Sequence, residues 1–221
     1  MAQADLVRPL RTVLVGLATV ASLGFATGCD PSTFGTGTGA TAGPAPSAIT
    51  QQLAALTVSS GLSMAGYSRD RFPHWISQGA GCDTRDVVLK RDGKSVTVGA
   101  GCKITGGTWL SPYNNKSYTD PLKLDIDHLV PLAAAWRAGA NKWTDDQREG
   151  FANDLTRPQL YAVDLSDNRS KGDQDPSTWK PPNHDFWCTY AQSWVTVKSY
   201  YKLAVTSAEK TALKDMLGTC S

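Results

Sequence analysis

A disulfide-stabilised α+β domain is the fold class this sequence predicts, and three observations point to it. Segments that alternate apolar and polar residues stand beside segments with helical spacing and capping boxes. Four cysteines, Cys82, Cys102, Cys188 and Cys220, follow the N-terminal region, an even number for an exported chain. The stretch from residue 48 to residue 221 suits one domain.

Residues 1–28 read as a signal peptide. Arg8 and Arg11 precede an apolar run from Val13 to Ala26 that is short and punctuated by glycine. Cys29 follows Ala26-Thr27-Gly28, small residues of the kind that precede a lipoprotein cleavage site. Cys29 is therefore a candidate for lipidation, with simple secretion as the other reading. Residues 29–47 are mostly Gly, Thr, Pro and Ala and read as a flexible tether. The expected location is secreted or surface-anchored at the membrane. The chain carries a net charge of +2, and removal of residues 1–28 leaves 20 basic against 19 acidic groups. That balance excludes a strongly basic, tight, non-specific nucleic-acid binder.

Within the domain the elements follow in order. Ala48 to Leu56 reads as a short helix capped by Ser47. Tyr67 to Trp75 is an aromatic and basic loop. Asp86 to Lys90 and Ser95 to Val98 have strand character around Asp92-Gly93, which predicts a β-hairpin. Cys82 and Cys102 lie just outside its arms, so proximity among the three pairings favours Cys82–Cys102 and Cys188–Cys220. Leu122 to Asp127 reads as a strand with Leu124 and Ile126 on one face and Asp125 and Asp127 on the other. Leu132 to Ala138 is helical and Leu160 to Val163 a short strand. Thr144-Asp145-Asp146-Gln147 and Thr206-Ser207-Ala208-Glu209 are capping boxes that open helices. Asp185 to Tyr201 is a long helix whose aromatic stripe reads as core.

The chemistry concentrates in Leu124-Asp125-Ile126-Asp127-His128-Leu129-Val130-Pro131 and in Ser166-Asp167-Asn168-Arg169-Ser170-Lys171-Gly172-Asp173. His128 suits a general base, because an imidazole titrates near neutrality. Asp127 and Asn168 suit oxygen ligation of Mg²⁺, with Mn²⁺ or Ca²⁺ as substitutes, and Asp125 can support that site. Arg169 or Lys171 can hold a phosphate, and Arg85 and Lys90 around the hairpin can grip a phosphate backbone. The plainer readings are a turn at Asn168, packing at His74, surface loop at His184 and a solvated edge for the basic residues near the hairpin.

These residues resemble a known family. Asp127 to Pro131 followed by Asn168-Arg169-Ser170-Lys171 is similar to the HNH branch of the ββα-metal (His-Me finger) endonucleases. Exported actinobacterial HNH-family proteins resemble the chain further, at Gly81 to Arg85, Gly107-Thr108-Trp109, Asp125 to Leu132, Ala135-Trp136, Ala152 to Leu155, Asn168 to Asp173 and Cys220. The resemblance implies a ββα-metal core with an added hairpin and C-terminal helices. It implies His128 as the base, Asp127 and Asn168 as metal ligands, and Asn153 as the middle Asn that orients the His-bearing loop. It also implies cleavage to 5′-phosphate and 3′-hydroxyl ends, with DNA the expected substrate and RNA the alternative, and the chain is expected to be a monomer. The lack of a visible recognition module, together with the near-neutral charge, suggests little sequence specificity. A small-substrate phosphodiesterase and a non-catalytic surface module are the rival expectations.

Overall fold

The computed structural model describes residues 48–220. The expected signal peptide, tether and Cys29 lie outside the described residues, as does the Ser47 cap. The chain runs through α1 (Ala48–Ala55), β1 (Ser77–Gly79), β2 (Cys82–Asp83), α2 (Thr84–Asp92), β3 (Lys94–Val98), β4 (Ile104–Ser111) and β5 (Lys116–Tyr118). It continues through β6 (Leu124–His128), α3 (Leu132–Arg137), α4 (Asp145–Ala152), β7 (Leu160–Asp164), α5 (Leu165–Lys171), α6 (Trp187–Tyr200) and α7 (Ser207–Leu217). The mixture is α+β, as expected.

One element departs from expectation. Asp86 to Lys90 lies in helix α2, not in a strand. The cause is local: Asp83 Oδ1 accepts from the Asp86 N–H at 2.8 Å, and Asp86 Oδ2 accepts from the Asp83 N–H at 3.1 Å. This reciprocal box starts a helix before the β-branched run can extend. A hairpin exists nonetheless, formed by β3 with β4, and β5 adds a third antiparallel strand. Both expected disulfides are present, Cys82–Cys102 and Cys188–Cys220.

β6 and β7 form a two-stranded antiparallel ladder with Asp127 opposite Tyr161 and His128 opposite Leu160. Asp164 ends β7 and caps α5, its Oδ1 accepting from the N–H groups of Ser166 and Asp167. The Asn168 segment is thus helical. Chain order here is strand, antiparallel strand, helix, with α3 and α4 inserted between the strands.

Two apolar clusters hold this unit. Val88, Leu89, Trp109, Leu124, Ile126 and Leu160 pack α2 and β4 against the β6–β7 ladder. Burial of such side chains contributes about 1.5–3 kcal/mol each. Trp109 explains a glycine: a Cβ on Gly107, at φ +154°, would stand 2.7 Å from the indole. The larger cluster joins α3, α4, α6 and α7, with Phe72, Phe151, Tyr190 and Trp194 fully buried. The α6 stripe is therefore core. Both expected capping boxes, at Thr144/Gln147 and Thr206/Glu209, are formed.

Candidate active site

Asp127 and His128 close strand β6, where the chain turns at Val130-Pro131. Gln159 fixes that turn. Its Oε1 accepts from the Val130 N–H at 3.1 Å, its Nε2 donates to the Val130 carbonyl at 2.9 Å, and its own carbonyl accepts from the Leu129 N–H. Asp127 and His128 are each 5% exposed, and both line an open cleft of about 210 Å³ with Asn168, Asp173, Tyr67 and Arg69.

His128 is held on two sides. Its Nε2 stands 2.9 Å from the Ala152 carbonyl at the end of α4. A carbonyl only accepts, so this nitrogen carries the proton and Nδ1 keeps its lone pair. Trp75 stacks on the imidazole with ring centres 5.4 Å apart and planes 21° apart, and His74 meets it edge-on at 6.0 Å. Burial pushes the His128 pKa down to about 3. The Ala152 carbonyl opposes this, while Arg69, His74 and Lys171 add to it. The ring is neutral at physiological pH, and burial leaves it a weaker base than the near-neutral imidazole expected from sequence.

Asp127 is held as firmly. Tyr113 donates its hydroxyl to Oδ2, and the Lys171 ammonium donates to Oδ1 at 2.9 Å and to the His128 carbonyl at 3.0 Å. Burial raises the Asp127 pKa above the ordinary carboxylate value, against the pull of Lys171 and Tyr113. Burial lowers that of Lys171, against the pull of Asp127. The multiple hydrogen bonds favour the ion pair over its neutral form.

Asn168 reaches across from α5 and donates to Asp125 Oδ2 at 3.1 Å. Asp125 and Asp127 are two apart on β6 and share a face. Two carboxylates against one ammonium leave a negative charge uncompensated, beside an amide oxygen. Hard oxygen donors of this kind fit a divalent cation such as Mg²⁺. Among the described residues no three His, Cys, Asp or Glu side chains converge on a metal position. Ligation would therefore rest on Asp125, Asp127 and Asn168.

The other expected residues fall as follows. Asn153 does not reach His128. Its Nδ2 donates to the Pro73 and Glu149 carbonyls, and its Oδ1 accepts from the Ile76 N–H and the Thr84 hydroxyl. It thus fixes the end of α4 and the loop that carries Trp75. Lys171 is fully buried, its ammonium committed to Asp127 and to the His128 carbonyl. Arg169 is exposed on α5 and is not among the residues lining the cleft. Arg85 donates to the Pro121 and Leu124 carbonyls and ties α2 to the start of β6. Lys90 is exposed on α2. Tyr113, Gln159, Trp75, Arg69 and the Ala152 carbonyl were not singled out from sequence. A backbone carbonyl leaves no signature there, and the others are distant in the chain.

A family profile described as GmrSD restriction endonucleases, C-terminal domain, matches residues 84–216, more than half of the chain. The chain belongs to that family. The GmrSD C-terminal domain match supports an HNH endonuclease reading, and a nuclease domain implies a nucleic-acid substrate. The match includes Asp125, Asp127, His128 and Asn168, and it begins after the loop carrying Arg69, His74 and Trp75. An "uncharacterized secreted protein" of the fungus Arthroderma benhamiae is 53% identical over 177 residues, covering 79% of this chain and 87% of the relative. That relative is fungal, so the comparison does not support an actinobacterial placement of this GmrSD-family chain. No solved structure matches it.

Proposed function

We propose that this chain is an exported, divalent-metal-dependent endonuclease of low sequence specificity, acting on DNA in preference to RNA. The observation that carries this reading is the His128 geometry: Nε2 held by the Ala152 carbonyl, with Asp127 and Asn168 on the same cleft. In the proposed reaction His128 Nδ1 takes a proton from water. The water oxygen bonds to phosphorus, and the bond from phosphorus to the 3′ oxygen breaks. That oxygen takes a proton from solvent, leaving 5′-phosphate and 3′-hydroxyl ends. A cation on Asp125, Asp127 and Asn168 would supply charge neutralisation at the phosphate. Trp75 and the Ala152 carbonyl orient the base, and the Lys171–Asp127 pair fixes the strand end.

Export rests on the signal-like N-terminus and on the secreted description of the fungal relative. Lipidation at Cys29 is tested by the mass of the mature N-terminus, an unmodified Cys29 ruling out an anchor.

The test is digestion of plasmid DNA and of RNA with Mg²⁺ or Mn²⁺, with and without chelator. Activity should require the ion and disappear in His128→Ala while the fold persists. An active His128→Ala protein would sink the assignment of the base. The burial of Asp127 and His128 favours a second reading, a phosphodiesterase for small substrates. Hydrolysis of bis(p-nitrophenyl) phosphate without cleavage of any polynucleotide would select it.

A further inference from the structure

We propose that Arg69 is the residue that grips the substrate phosphate, presented by a segment upstream of the family domain. The inference rests on the nuclease reading above and adds its phosphate-binding group. A phosphodiester brought to His128 carries a negative charge that the site must meet with a positioned donor. Lys171 cannot turn to it, because its ammonium is buried against Asp127 and the His128 carbonyl. Arg137, the nearest cation on α3, is engaged by Asp173. Arg69 lines the cleft, is exposed, and among the described residues forms no ion pair. Its neighbour Asp70 is occupied by Ser68, whose hydroxyl donates to Oδ2 at 3.3 Å. A guanidinium on the same cleft as the base, with no ion-pair partner among the described residues, suits forked recognition of a phosphate.

The segment is built to hold that group still. Phe72, fully buried, anchors it in the main core. Arg148 donates to the Arg71 carbonyl at 3.0 Å, and Asn153 donates to the Pro73 carbonyl at 2.8 Å. Trp75, from the same segment, sits at φ +60°, a conformation costly for a bulky residue, and stacks on His128. One segment thereby supplies both a wall of the base and a cation on the same cleft. It lies before the first residue of the family match.

The experiment uses the full chain and a fluorescent single-stranded oligonucleotide, with binding read in chelator and cleavage read with Mg²⁺ or Mn²⁺. Arg69→Gln should weaken binding and lower kcat/KM by about tenfold to a hundredfold, the loss expected for one charge-assisted contact. The slope of log affinity against log salt should fall by about 0.7, one phosphate contact on a single strand, which a merely structural role would not change. Arg69→Lys should recover part of the affinity, and Lys214→Gln, an exposed charge change on α7, should leave both readings unchanged. An active wild type with Arg69→Gln unchanged in affinity, salt slope and kcat/KM overturns the Arg69 assignment alone. A wild type that neither binds nor cleaves overturns the nuclease reading and this inference with it.

Discussion

The Lys171 ammonium lies 2.9 Å from Asp127 Oδ1, with the two side chains 0% and 6% exposed. Each charge is tolerated there only because the other is present. Lys171→Met should therefore strand the Asp127 carboxylate beside Tyr113 and cost about 3–5 kcal/mol. Adding Asp127→Asn removes the stranded charge, so the double variant should be more stable than the sum of the single losses by about 1 kcal/mol or more. Urea unfolding of the four proteins measures this coupling. Strict additivity would mean that the pair does not hold the end of β6.

Asn153 acts through what it holds. Its four hydrogen bonds, 2.8–3.2 Å long, join α4 to the backbone at Pro73 and Ile76 and to Thr84. Asn153→Ala strands several of these partners, at about 1–3 kcal/mol for each group left unpaired and dry. The adjacent Ala152 carbonyl and the Trp75 loop should loosen together around His128. Nuclease kcat should then fall about tenfold or more while KM changes less, measured where the variant remains folded. An unchanged kcat would separate Asn153 from the orientation of His128.

What was legible in the sequence was what is local. The boxes at Thr144 and Thr206 each lie within four residues and formed as read. The Leu124–Asp127 alternation gave the strand, and sequence proximity gave the cysteine pairing. Helix α2 was missed because its box uses two carboxylates, Asp83 and Asp86, ahead of a β-branched run that also suits a strand. Asp125, Asp127, His128 and Asn168 were legible as a motif, but the groups that orient them were not. Trp75 read only as part of a loop and Tyr113 carried no functional signal, and tertiary packing alone brings them to His128 and Asp127.

The two disulfides should differ in their effect on function. Cys188–Cys220 spans 32 residues and Cys82–Cys102 spans 20, so loop closure gives each about 3–4 kcal/mol. Cys82 lies two residues before Thr84, whose hydroxyl donates to Asn153 Oδ1 at 2.8 Å. Cys188–Cys220 ties α6 to the end of α7, and neither cysteine lines the cleft. The Cys82→Ser/Cys102→Ser variant should lose activity even at temperatures where it is folded. Cys188→Ser/Cys220→Ser should lose thermal stability and keep its activity in the cold. Equal activity losses in the two variants would break the proposed link from the first bridge to the site.

Asp173 should give the cleft rim a small acid dependence. Arg137 Nη1 donates to its carboxylate at 2.6 Å and Nη2 to its carbonyl at 2.7 Å, bracing α3 against the turn after α5. The hydrogen bond from Arg137 holds the Asp173 pKa below its ordinary 3.8, against a smaller effect of burial. The folded value is the lower one, so the stabilisation is complete above the unfolded pKa and is lost as pH falls through the folded pKa. The Asp173 side chain is 58% exposed, which screens the pair to about 0–1 kcal/mol. Asp173→Asn should thus be slightly less stable than wild type near neutrality, and the two should converge in acid below the folded pKa. The difference should also shrink in about 1 M salt, where charges are screened within a few ångströms. A gap between the two denaturation curves that is constant from neutral pH into strong acid would show that the ion pair contributes nothing.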